Sequence, residues 1–92
     1  MRGSLALLLV EDDRQDALLV EELIADTSMQ TTVTLAPTLA EAERQIAITR
    51  PDCVLLDMNL PDGTGLMVLE RITRLDVTLP IVVLTGFTDE HF

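Results

Sequence analysis

The sequence contains no lysine. All of its fixed positive charge rests on six arginines: Arg2, Arg14, Arg44, Arg50, Arg71 and Arg74. Sixteen acidic residues oppose them, and the formal net charge is −10. A chain so acidic is excluded as a direct binder of nucleic acid, because phosphate binding needs clustered Lys and Arg to displace counterions. Docking to an anionic membrane surface is excluded on the same ground. Aromatic residues are scarce, at 2%, yet hydrophobic residues reach 48%. That content excludes an acidic disordered tail, which would be poor in apolar residues. Long hydrophobic runs are lacking too. The longest, Leu5 to Val10, is far too short to span a bilayer and leads straight into Glu11, Asp12 and Asp13, unlike a signal peptide. The single cysteine, Cys53, has no internal disulfide partner, so a reducing, cytoplasmic setting is expected. The 92 residues suffice for one small domain, 1–92.

What is present is an alternation of two patterns. Short aliphatic runs at Leu5–Val10, Cys53–Leu56 and Ile81–Leu84 read as buried strands, and Thr32–Ala36 reads as a wetter edge strand. Between them lie segments with helical spacing. Asp13–Asp26 is expected to bury Ala17, Val20, Leu23 and Ile24; Leu39–Thr49 to bury Leu39, Ala42 and Ile46; and Gly65–Leu75 to bury Val68, Leu69, Ile72 and Leu75. Asp13 caps the first helix, and Thr38 with Glu41 forms a capping box for the second. Arg50-Pro51-Asp52 stops the second helix, Pro61-Asp62-Gly63 marks a turn, and Pro80 opens the last strand. A start of a fourth helix is expected around Thr88–Phe92. Strands alternating with helices imply an α/β fold with a doubly wound parallel sheet covered on both faces. The last strand is then an edge with two apolar faces.

Chemistry is expected at the carboxyl ends of the strands. Glu11 and Asp12 follow the first strand directly, and Asp57 follows the third. If those strands are neighbours, three carboxylates converge, repel one another, and raise one or more of their pKa values. A hard divalent cation relieves that repulsion, and Mg²⁺ suits an all-oxygen site. The plainer alternative is a helix cap with acids in its first turn, which accounts for Asp13 and Asp16 and would serve for Asp12. It does not account for Asp57, because Met58-Asn59-Leu60-Pro61 intervenes before any helix begins. Thr85 and Gly86 end the fourth strand, where a hydroxyl and an open backbone suit a phosphate oxygen or simply a satisfied strand end. Cys53 reads as an inert core thiol, Met58 and Met67 as core or gap fillers, and His91 as a surface residue.

Three stretches together resemble the receiver domain of bacterial two-component response regulators. They are Leu8-Leu9-Val10-Glu11-Asp12-Asp13, the run from Leu55 through Asp57 to Gly65, and Ile81-Val82-Val83-Leu84-Thr85-Gly86. The resemblance implies a flavodoxin-like receiver fold of five strand–helix units, of which this chain lacks the fifth strand and last helix. It implies that Asp57 is the phosphoacceptor, and that Glu11, Asp12, Asp57 and the backbone carbonyl of Asn59 hold Mg²⁺. Thr85 would hydrogen-bond the phosphoryl group and act as the switch residue. A histidine kinase or phosphotransfer protein would be the partner, and no independent enzymatic turnover is expected. The family's lysine at the end of the fifth strand has no counterpart. The chain therefore reads as a receiver incomplete at its C-terminal side, with impaired phosphorylation and a tendency to self-associate through the open end.

Two other readings differ in class. One is a receiver-like interaction module that works without phosphorylation; the missing lysine favours it and the intact acids oppose it. The other is a phosphatase of the haloacid dehalogenase type. That family wants a second aspartate two residues after the first, where this chain has Asn59, and it wants a lysine.

Overall fold

The computed structural model describes residues 4–26, 30–57, 59–60 and 63–84. The elements are β1 (Leu5–Val10), α1 (Arg14–Ala25), β2 (Thr31–Ala36), α2 (Leu39–Ile48), β3 (Cys53–Asp57), β4 (Asn59–Leu60), β5 (Gly63–Thr64), α3 (Gly65–Leu75) and β6 (Ile81–Leu84). Four strands form one parallel sheet in the order β2-β1-β3-β6. The tiny β4–β5 pair is antiparallel and stands apart from it. Among the described residues this is a doubly wound α/β fold of four parallel strands and three helices, without a fifth parallel strand.

Alternation along each strand divides the apolar side chains between two layers. From β1, Leu8 and Val10 join Ala42, Ile46, Val68 and Ile72 under α2 and α3. Leu9 points the other way and packs with Ala17 and Val20 of α1. Val54 and Leu56 of β3 are fully buried under α2 and α3, while Leu55 is only half-buried on the α1 side. Both sheet faces are thus used, as continuous aliphatic runs require.

The helix ends show which local signals operate. Asp13 is extended and its side chain accepts from the N–H groups of Gln15 and Asp16, so it caps α1 as expected. Thr38 accepts from the N–H of Glu41 at 3.1 Å, but the capping box closes on one side only. The Glu41 carboxylate turns to Arg44 and Gln45 along the helix instead of back to Thr38. A charged partner within one turn outcompetes a neutral N–H.

Three apolar residues expected in the core are exposed. Leu23 and Leu75 lie at the margins of their helical stripes, and Met67 sits in the first turn of α3. Each helix buries a narrower arc than its apolar residues cover, because each packs on the sheet over one side only. Cys53 is half-buried rather than sealed, and burial raises its thiol pKa, which leaves little thiolate. The turn at Pro61-Asp62, the start of a helix at Thr88–Phe92, Met58 and His91 lie outside the described residues.

The lower end of the sheet, opposite the carboxyl ends of its strands, is tied by polar contacts between loops. Asp52 accepts from the N–H of Ala6 at 2.7 Å, and its own N–H donates to the Ala6 carbonyl at 2.7 Å. Arg50 Nε lies 2.6 Å from Asp76 Oδ2, and the Thr78 hydroxyl donates to Asp76 Oδ1 at 2.6 Å. These bonds hold the segment entering β3 to β1 and to the segment entering β6. Arg71 of α3 pairs with Glu43 of α2 at 2.9 Å and joins the two helices of that layer.

Candidate functional site

The site is built by the register of β1 and β3. Val10 lies beside Leu56, so the next rung sets Glu11 beside Asp57. The Glu11 N–H donates to the Ala36 carbonyl of β2 at 3.0 Å, which carries the strand direction one residue past the ladder. Asp12 follows, and Asp13 then starts α1. This is the place where the chain order of the sheet reverses, with β2 on one side of β1 and β3 on the other. Open α/β sheets leave a crevice there at the carboxyl ends of their strands.

Glu11, Asp12 and Asp57 each offer a carboxylate oxygen, and these oxygens all lie within 4.8 Å of one another. Their exposure differs. Glu11 is 4% exposed, Asp57 is half-buried and Asp12 is exposed. The convergence expected from sequence is therefore present. The pKa of Glu11 rises to about 7. Its main cause is burial, with the charges of Asp57, Asp16 and Asp12 adding to it, while the hydrogen bond from the Asp13 N–H pulls the other way. The sequence argument named repulsion as the cause; desolvation is the larger effect, because Glu11 lies almost wholly inside the fold.

Asp16 shares this field. Its pKa is raised, first by desolvation and then by Asp13, Asp57 and Asp12. Read from sequence it is a first-turn acid that favours the helix dipole. The signal that it also borders the site is its spacing, one turn on from the capping Asp13.

The donor set fits a hard divalent cation. All three groups are carboxylates, with no nitrogen or sulfur among them, and they approach from two adjacent strand ends. Asn59 lies two residues beyond Asp57 in β4. Thr85 and Gly86 lie outside the described residues, directly after the end of β6. In the described register Leu84 pairs with Asp57, so β6 runs up to the same end of the sheet as the acids.

The response regulator receiver domain family matches residues 7–92. The chain belongs to that family. This receiver is 36% identical over 91 residues to the methanogenesis regulatory protein FilR1 of Methanothrix harundinacea, a match that covers 96% of this chain and 20% of that protein. The receiver spans between 20% and 39% of the length of the first curated relatives it matches. Among solved structures it is similar to the phosphorylated cyanobacterial phytochrome response regulator RcpA, with a TM-score of 0.78 and 30% identity, covering 88% of this chain and 64% of that one. It is also similar to the Mn²⁺-bound form of response regulator Rcp1, with a TM-score of 0.76 and 28% identity, covering 86% and 63%. Among the described residues of the receiver, no helix is long and apolar enough to cross a membrane.

Proposed function

We infer that this receiver is the phosphoacceptor of a two-component relay, taking a phosphoryl group from a histidine kinase or phosphotransfer protein onto Asp57 with Mg²⁺. The observation that carries the reading is the meeting of Glu11, Asp12 and Asp57 at the switch point of the sheet. Two relatives in fold support it through their states, one phosphorylated and one holding a divalent cation.

In this reading a carboxylate oxygen of Asp57 attacks phosphorus in line. The bond from phosphorus to the leaving nitrogen breaks as the new P–O bond forms, and the imidazole leaves with the electron pair and takes up a proton. Glu11, Asp12, Asp57 and the backbone carbonyl of Asn59 would hold the cation, which offsets charge on the phosphoryl oxygens. Thr85 would take one of those oxygens as a hydrogen-bond acceptor and move with it. The receiver acts as a stoichiometric acceptor, not as an enzyme with turnover, and works in the cytoplasm.

The test is phosphotransfer from an autophosphorylated histidine kinase carrying labelled phosphate. Label that moves to the receiver in Mg²⁺, stays on the kinase in chelator, and does not move to Asp57→Asn supports the reading. Label that moves equally to Asp57→Asn sinks it. A phosphorylation-independent interaction module is the second reading. It gains if kinase binding persists with no transfer.

A further inference from the structure

We propose that Asp13 is a positioning residue for the cation site: its backbone N–H ties down one oxygen of Glu11, so that Glu11 offers a cation its other oxygen alone and the site prefers Mg²⁺ to Ca²⁺. The inference rests on the reading of Glu11, Asp12 and Asp57 as a divalent-cation site and deepens it. The Asp13 N–H donates to Glu11 Oε2 at 3.1 Å. Such a bond from the backbone to a carboxylate is charge-assisted and fixes its direction. Asp13 is itself held by the start of α1. Its Oδ1 accepts from the N–H groups of Gln15 at 2.9 Å and Asp16 at 3.2 Å, and its carbonyl accepts from the Ala17 N–H at 2.9 Å. Ala17 is buried with Leu9 of β1 and Val20. The packing of α1 on the sheet therefore sets where the Asp13 N–H points. Glu11 is pinned at its other end, where its N–H donates to the Ala36 carbonyl at 3.0 Å, and it is 4% exposed.

Mg²⁺ and Ca²⁺ carry the same charge, so three carboxylates do not tell them apart by charge alone. The ions differ in how they take oxygen. Ca²⁺ gathers about six to eight oxygens in flexible geometry and takes a carboxylate through one oxygen or both, whereas Mg²⁺ demands near-ideal octahedral geometry at shorter distances. A Glu11 whose Oε2 is bonded to Asp13 gives both oxygens to a cation only by breaking that bond. The cost falls on Ca²⁺ and not on Mg²⁺. Asp13 thus does two jobs with different atoms: its side chain caps α1, and its main-chain N–H orients Glu11. Substitution can separate them.

The experiment is calorimetric titration of the 92-residue chain with MgCl₂ and with CaCl₂, beside Asp13→Ser, Asp13→Ala and Asp13→Pro. Serine keeps a capping oxygen and the N–H, alanine keeps the N–H alone, and proline removes the N–H. All three remove the same negative charge, and the ratio of the two affinities cancels that loss because both ions are doubly charged. The unaltered chain is expected to bind Mg²⁺ more tightly than Ca²⁺. Asp13→Ser and Asp13→Ala should keep the ratio within about twofold, and Asp13→Pro should lower it about tenfold or more. Circular dichroism checks that the proline variant is folded. Should it unfold, a synthetic chain with an ester in place of the Asp12–Asp13 amide removes the same N–H, keeps the cap, and is expected to show the same fall. The proposal is overturned by an unchanged ratio in a folded chain that lacks the N–H, by a ratio that falls as far in Asp13→Ala, or by an unaltered chain with no preference for Mg²⁺. A chain that binds neither ion overturns it together with the cation site. A chain that binds Mg²⁺ and takes a phosphoryl group on Asp57, yet keeps its ratio without the N–H, overturns this inference alone.

Discussion

Glu11 Oε2 accepts a hydrogen bond from the backbone N–H of Asp13 at 3.1 Å, so the residue that caps α1 also steadies the most buried acid of the site. Helix start and candidate metal centre are one local structure. A buried carboxyl with its pKa near 7 is neutral over much of the acid range, and a cation that displaces its proton changes the charge of the whole crevice.

The first prediction concerns metal-free stability. The folded state holds the Glu11 proton up to about pH 7, whereas the unfolded chain releases it near 4.5. Between those values the native state binds more protons, so the contribution of Glu11 is most favourable below pH 4.5 and is lost as pH rises through 7. Urea unfolding in chelator at pH 5 and pH 8 measures this. Glu11→Gln is expected to flatten the difference and to raise stability at pH 8 by ~1–2 kcal/mol. A variant no more stable than the original at pH 8 would contradict the assignment.

The second follows for metal binding. Mg²⁺ must displace the Glu11 proton below about pH 7, so its affinity should climb between pH 5.5 and pH 8 and level off above. Calorimetry in two buffers of different ionisation enthalpy reads the released proton directly. An affinity that is flat across that range, with no proton release, would show that Glu11 is ionised without metal.

The third compares a buried apolar side chain with an exposed one. Ile72 is fully buried among α2, α3 and the sheet, while Leu23 is 57% exposed. Ile72→Ala is expected to cost about 2–5 kcal/mol, a large share of the ~5–10 kcal/mol available to a domain this small. Leu23→Ala should cost under about 1 kcal/mol. Equal losses in chemical denaturation would mean that the α1 flank is covered in solution.

The fourth concerns the loops below the sheet. The Thr78 hydroxyl first, then Arg50 and the Thr78 N–H, hold the Asp76 carboxyl down at about 2, below the usual aspartate range. The unfolded chain protonates this group nearer 3.8, so the favourable contribution is present above that value and is lost as pH falls toward 2. Because the Arg50–Asp76 pair lies at the surface, Arg50→Ala is expected to lower stability only slightly at neutral pH. A larger loss in thermal unfolding would place the pair among the main supports of the fold.

Much of the fold was readable from residue order, for identifiable reasons. Strands buried on both faces leave unbroken aliphatic runs, and helix starts leave Asp13 and Thr38. Asp57 stood out because it ends such a run with no helix following at once. What could not be read has physical causes. Which margin of an amphipathic stripe stays bare depends on what lies beside the helix, so Leu23 and Leu75 looked like core. The β4–β5 pair involves two residues from each strand, too few for any periodicity. Burial of Glu11, the main cause of its raised pKa, depends on what packs around the end of β1 in the folded chain, and neither residue nor spacing announces it.

The central claim is that Asp57, set among Glu11 and Asp12, accepts a phosphoryl group. Intact mass after incubation with Mg²⁺ and a small-molecule phosphodonor tests it most directly, with Asp57→Asn alongside. The account predicts one phosphoryl adduct on the unaltered chain, absent in the variant and absent in chelator. An adduct that survives in Asp57→Asn, or no adduct at all on a folded, Mg²⁺-binding chain, would contradict it.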